Sequence, residues 1–269
     1  MLMRLLLACG TSALLQLALS SCGGQSTGVD SREPVIEEHT GYSLEYVPSD
    51  RAVAQSLIPM IEGGRGTVER FFATTYRSPF AVRVFADRAG LTARWRVVRN
   101  QPTFQTECWM IAGGWATEFD IISPSAWRTE SCGHDGTNLT HVANVVVHEL
   151  VHVIHGQRNS SFVSISNTTP WMTEGLAAFA SGQWASEYAS SARATVGGGF
   201  APQTFATLWA SPANYALAAS VFAYINQRYG ADALRRLLPA VTEAELLTAL
   251  STDAPTLLRD WRAWVLAQG

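Results

Sequence analysis

His148, Glu149 and His152 are the residues of this chain whose types and spacing could do chemistry. They sit in Val145-Val146-Val147-His148-Glu149-Leu150-Val151-His152-Val153-Ile154-His155-Gly156, an apolar run that reads as a helix. Two histidines four positions apart lie on one helical face, one turn above the other. Their imidazole nitrogens can then reach a single metal ion, and Glu149 can reach a water on that ion. His-Glu-x-x-His on a helix thus supplies two ligands and a general base, the pattern of a hydrolytic zinc site.

Such a site needs a third protein ligand and an open position for water. A polar, turn-like stretch from Gln157 to Thr169 follows, and then Pro170-Trp171-Met172-Thr173-Glu174-Gly175-Leu176-Ala177-Ala178-Phe179. Thr169 before Pro170 predicts a helix start, with proline at the first helical position where its missing N–H costs nothing. Glu174 then falls in the second turn among Trp171, Leu176, Ala177 and Phe179. A carboxylate in apolar company is unfavourable unless it is paired or binds a metal. His155 is a rival third ligand. Ligands at i, i+4 and i+7 would span roughly 10 Å of helix axis, too far for one zinc ion. His141 and His155, seven residues either side of His148, are read as structural.

His-Glu-Leu-Val-His followed by Pro-Trp-Met-Thr-Glu-Gly-Leu-Ala resembles the gluzincin metallopeptidases, and within them the peptidase MA-like domains related to the aminopeptidase N catalytic domain. The 21 residues between His152 and Glu174 match that family's spacing. The resemblance implies one Zn2+ per chain bound by His148, His152 and Glu174, with Glu149 as base. It implies a sheet above the metal helix whose edge strand pairs with an extended substrate, for which Trp115 to Ile122 is the candidate. It also implies a tyrosine that donates to the oxyanion, and Tyr215 in Asn214-Tyr215-Ala216-Leu217-Ala218 stands in that place, with Ala218 where the relatives carry glycine. Where the aminopeptidase relatives have Gly-Ala-Met-Glu-Asn, with a glutamate that holds the substrate's amino group, this chain has Gly113-Gly114-Trp115-Ala116-Thr117-Glu118. That departure points away from aminopeptidase action, and Glu118 reads as a solvated strand residue.

The elements around the motif are those of one domain. With 269 residues, 47% of them hydrophobic, the chain can build a sizeable core. A net charge of −3 gives no basic surface for nucleic acid. All basic residues are arginine; there is no lysine.

The first residues read as a targeting segment: Arg4, then an apolar run from Leu5 to Leu19, too short to span a bilayer comfortably. Leu19-Ser20-Ser21-Cys22 resembles a bacterial lipobox, which implies cleavage before Cys22 and its lipidation. Gly23 does not resemble the aspartate that retains such proteins at the inner membrane, so an outer-membrane anchor is expected. Residues 22–40 are turn-rich and read as a flexible tether. Cys108 and Cys132 remain as an even pair in an oxidising compartment, and a disulfide between them is expected.

Tyr42 to Val47 and Phe80 to Phe85 alternate like strands, and Glu107 to Ile122 reads as two short strands around Gly113-Gly114. Helical spacing runs from Asp50 to Thr74, with a break or kink expected at Pro59 and Gly63-Gly64, and from Asp87 to Val98. The metal helix is expected over Asn138 to His155, ended by Gly156. Ala189 to Pro212 reads as a loop bordering the cleft. Helices over Ala231–Leu238, Thr242–Leu250 and Ala254–Leu266 form a C-terminal cap.

The expected fold is α+β: a small N-terminal mixed sheet region packed on a mainly helical half that carries the zinc site, together spanning residues 41–269 after the signal peptide (1–21) and tether. The expected function is hydrolysis of peptide bonds by a monomeric, envelope-located lipoprotein, as an endopeptidase rather than an aminopeptidase, acting on a peptide or protein substrate. The alternative is a catalytically inactive zinc-binding or interaction lipoprotein that keeps the fold.

Overall fold

The computed structural model describes residues 33–268. The expected signal peptide and lipidated Cys22 lie outside these residues. The described chain is α+β, with a five-stranded mixed sheet on the N-terminal side and a mainly helical remainder.

β1 (Val35–His39) and β2 (Tyr42–Tyr46) form an antiparallel hairpin, turned at Gly41 with a left-handed φ of 84°. Residues 35–39, expected in the tether, are therefore an edge strand. β3 (Phe80–Phe85) lies parallel to β2. β4 (Ala112–Trp115) and β5 (Glu118–Ile122) form a second antiparallel hairpin, with β5 parallel to β3. The strand order is β1-β2-β3-β5-β4. The expected edge strand over Trp115 to Ile122 is thus corrected: β5 is interior, and β4 is the edge. Gly113 and Gly114 sit inside β4, and the turn falls on Ala116-Thr117.

Alternation gives the sheet two faces. Leu44, Val82 and Phe119 are fully buried on one, which is covered by α1 (Arg51–Phe72) beside β2 and by the helix carrying His148 beside β4 and β5. Glu45, Arg83, Glu118 and Asp120 share the other, which is covered beside β5 by α2 (Arg88–Val98). α1 is continuous through Pro59. Pro59 and Gln55, whose carbonyl loses its helical donor, are both exposed, so water can satisfy that oxygen. Gly64 serves packing instead of breaking the helix: a Cβ there would lie 2.8 Å from the Leu150 side chain.

A short α3 (Trp127–Glu130) leads to α4 (Leu139–Arg158), the helix of the His-Glu-x-x-His motif. The Asn138 side chain caps α4 by accepting from the backbone N–H groups of Thr140 and His141. Gly156 does not end the helix, which runs to Arg158. Its missing side chain makes room for the β4–β5 turn, where a Cβ would lie 2.7 Å from the Ala116 nitrogen. The expected polar loop over 157–169 contains α5 (Phe162–Thr168), anchored by Phe162 and Ile165 in the core.

α6 (Pro170–Ala180) starts at Pro170 as expected, although Thr169 makes no side-chain cap. A single π-turn, Trp184–Tyr188, joins it to α7 (Ala189–Gly197), and α8 (Phe205–Trp209) follows. The stretch expected as a loop over 189–212 is therefore largely helical. The spacing of Ala192, Val196, Phe205 and Leu208, all buried, explains this. α9 (Asn214–Tyr229) packs along α6, and Gly175 lets them close together: a Cβ there would lie 2.8 Å from the Ala218 carbonyl oxygen. α10 (Ala231–Leu237), α11 (Glu243–Ala249) and α12 (Ala254–Leu266) complete the cap, with Leu257, Leu258, Trp261 and Val265 buried from α12. No described helix is long and apolar enough to cross a membrane.

Candidate metal centre

The side chains of His148 and His152 on α4 and Glu174 on α6 converge. One ligand atom from each lies within 4.8 Å of the others, and among the described residues this is the one such group of three. Nε2 of His148 lies 3.0 Å from Oε2 of Glu174, and Nε2 of His152 lies 3.4 Å from the same oxygen. Both histidines are buried and Glu174 is half-buried. Burial would push the Glu174 carboxyl up, but His152 and His148 hold it far below the usual carboxylate range. Burial likewise opposes a charge on His148, yet Glu174 and Glu149 hold its pKa up at about 9. Two imidazole nitrogens and a carboxylate oxygen gathered within 4.8 Å are a donor set that fits a divalent transition metal once the histidines give up their protons.

The ring of His148 is fixed from behind. Its Nδ1 lies 2.8 Å from Oε1 of Gln183, beyond the end of α6. Nε2 of Gln183 points toward the Glu187 carboxylate, which can only accept, and this sets the orientation of the amide. An acceptor at Nδ1 makes that nitrogen the proton carrier and leaves the lone pair on Nε2 for a metal. Nothing in the spacing of Gln183 marks this role. The chain passes through the left-handed Gly182 (φ 89°) before the glutamine folds back under the histidine.

Glu149 is buried with its Oε2 unpartnered. Burial raises its pKa, opposed by His148 and His152. The carboxylate lies beneath β4, and Gly114 makes this approach possible. A Cβ at Gly114 would lie 2.7 Å from the Glu149 carbonyl oxygen and 2.9 Å from the His152 Cβ.

Tyr215, at the start of α9, faces the site with its ring centroid 6.4 Å from that of His148. Burial, and then the Glu174 carboxylate, raise its pKa well above the ordinary value, so its hydroxyl keeps its proton. Tyr188, from the π-turn, is a second phenol there, 6.5 Å from Tyr215 between centroids and held protonated by burial. Its role is not legible in the sequence, because a π-turn re-aims a side chain without a spacing signal.

The other histidines stand apart. Burial pushes the pKa of His155 down to about 3, so it is neutral, packed against Phe162. His141 pairs with Glu187 at 3.2 Å and with His134 at 3.0 Å. Glu118 is not solvated as expected: it is paired by Arg83 and takes two hydrogen bonds, 2.6 and 2.8 Å, from Arg94.

The centre opens into a cavity of about 980 Å³ that runs past the β4 edge. Trp109 stands across it from Tyr215, at 6.3 Å between rings. The Cys108–Cys132 disulfide, with Cα atoms 5.3 Å apart, fixes the loop carrying Trp109, as the cysteine count predicts. Arg88 ties down the same loop by donating to the carbonyls of Cys108, Met110 and Glu130. No protein-family model matches the chain, and no curated protein matches it.

Proposed function

We propose that this chain is a zinc-dependent metallopeptidase of the gluzincin type that cuts peptide bonds within extended substrates. The observation that carries the reading is the convergence of His148, His152 and Glu174 on one point beside the unpartnered carboxylate oxygen of Glu149. His148, His152 and Glu174 would hold the ion, and zinc there would acidify a water and polarise the scissile carbonyl.

The chain's own residues have separate tasks. β4 has one strand neighbour, so its outer edge is open to an extended peptide. Glu149 accepts the proton of the attacking water on Oε2 and hands it to the leaving amine. Tyr215 donates a hydrogen bond to the carbonyl oxygen as negative charge develops there. Gln183 keeps His148 in the ligating tautomer.

Endopeptidase action is favoured over aminopeptidase action by the state of Glu118. An amine anchor needs a carboxylate with spare acceptor capacity, and Glu118 is occupied by two arginines. The lipobox-like Leu19-Ser20-Ser21-Cys22 supports placement in the bacterial envelope, with a lipid anchor at Cys22 in the outer membrane. The Cys108–Cys132 disulfide accords with an oxidising compartment.

The test is cleavage of N-acetylated peptides and an unfolded protein by the zinc-loaded chain and its Glu149→Gln variant. Internal cuts by the wild type and none by the zinc-retaining variant are expected. Equal cleavage by both would remove Glu149 as base, and no cleavage by the wild type would leave a metal-binding protein without this activity.

A further inference from the structure

The cavity holds a cation that nothing in the proposed chemistry uses. Arg99 caps the C-terminus of α2 and lines the same cavity as His148 and Glu149. Its guanidinium carbon lies 4.8 Å from the ring centroid of Phe104, 5.0 Å from that of Trp95 and 5.8 Å from that of Trp115. The other arginines near α2 are engaged: Arg94 with Glu118, Arg96 with the Phe104 carbonyl, and Arg88 with the carbonyls beside the disulfide. Arg99 has no carboxylate or carbonyl partner for its side chain among the described residues, and it is open to solvent on the cavity wall. Stacking on rings engages the face of a guanidinium and leaves its edge N–H groups free, the geometry that receives a carboxylate.

The register of β4 says which part of a bound segment would meet it. Gly114 faces α4, where its Cβ would touch Glu149 and His152, while Gly113 faces α2, where its Cβ would lie 2.6 Å from the Trp95 ring. Trp115 shares the side of Gly113. A segment added to the β4 edge therefore turns alternate side chains toward the metal helix and toward the Trp95–Arg99 side.

We propose that Arg99, held by Phe104, Trp95 and Trp115, anchors a carboxylate of the bound peptide, carried by a residue whose side chain points to the α2 side of β4. The rings would cover the methylene stem, and the guanidinium edge would take both carboxylate oxygens. A glutamate or aspartate side chain and a free chain terminus offer the same chemistry. This inference rests on the peptide-cleaving reading above.

The experiment measures binding, so it does not depend on turnover. Zinc-loaded Glu149→Gln protein is titrated calorimetrically with N-acetylated, C-amidated octapeptides in which one glutamate is walked along a neutral frame. A glutamine series and a series with a free C-terminus accompany it. Glutamate should bind about tenfold or more tightly than glutamine at one position, or at two alternate positions, i and i+2. Preference only for the free C-terminus would make the chain terminus the ligand. Adding Arg99→Met should abolish the preference, and Arg99→Glu should turn it toward lysine at the same position. Peptides that bind without any carboxylate preference, or a preference that survives Arg99→Met, would overturn the anchor and leave the peptidase reading standing. Peptides neither bound by this protein nor cut by the wild type would overturn both.

Discussion

Nδ1 of His148 and Oε1 of Gln183 lie 2.8 Å apart, on the side of the ring away from the nitrogen that faces Glu174. The glutamine oxygen accepts, so it fixes which ring nitrogen is free to bind a metal. Gln183→Leu should lower zinc affinity about 10- to 100-fold, read by competition with a chromogenic chelator, with the thermal melt of the metal-free protein little changed. Unaltered affinity would show that the ring needs no such support.

Tyr215 stays protonated because burial raises its pKa well above 10.0. Tyr215→Phe should reduce kcat by roughly 100-fold or more while KM stays within a few-fold, because in the proposed reaction the hydroxyl would act on charge that exists only in the transition state. Tyr188→Phe, tested beside it, separates the two phenols. A drop in the Tyr188 variant alone would move the oxyanion donor to the π-turn.

Asp120 is fully buried between β5 and α2. It accepts from Nε1 of Trp95 at 3.1 Å and lies 3.7 Å from Arg83 and 3.9 Å from Arg94. Burial and the Glu118 carboxylate raise its pKa from 3.8 to about 7, against the pull of the two arginines. A carboxyl whose pKa is higher folded than unfolded contributes stability that is full below the unfolded pKa and is lost as pH rises through the folded one. Wild-type stability should therefore fall, relative to Asp120→Asn, by on the order of a few kcal/mol between pH 4 and pH 7. Urea unfolding of both proteins across that range reads the difference, and parallel curves would sink the assignment.

The disulfide closes the loop that carries Trp109 on the cavity wall. Replacing Cys108 and Cys132 together by serine should cost about 3 kcal/mol by the loop-entropy estimate. It should also raise KM more than it lowers kcat, because the wall loosens while the metal ligands stay in place. Unchanged stability in the oxidised wild type against the variant would contradict a formed bridge.

Gly114→Ala should affect both stability and chemistry, because its Cβ would sit 2.7 Å from the Glu149 carbonyl oxygen. Pushing β4 off α4 should cost about 1–3 kcal/mol and lower hydrolysis, as seen by melting and by peptide assay. A neutral effect on both would mean the strand has slack over the helix.

The parts of the site legible in the sequence are those set by helical spacing. His148 and His152 lie on one face of a helix on successive turns with Glu149 beside them, and Pro170 fixes where the next helix starts and so where Glu174 falls. Gln183, Tyr188 and Arg99 were not legible, because each reaches the site through a turn whose direction no periodicity records. The glycines misled for a related reason. Gly64, Gly114 and Gly156 look like breaks along the chain, but each marks a close approach of two elements from distant sequence. The edge strand was displaced for the same cause, since Gly113-Gly114 resembles a turn and is instead the strand lying against the metal helix.

Everything proposed for this chain depends on His148, His152 and Glu174 holding one metal ion. Elemental analysis of the full chain after zinc loading and dialysis, for wild type, Glu149→Gln and Glu174→Ala, tests it most directly. One zinc per chain is expected in the wild type and in Glu149→Gln, with much weaker retention in Glu174→Ala. No zinc in the wild type, or equal zinc in Glu174→Ala, would contradict it.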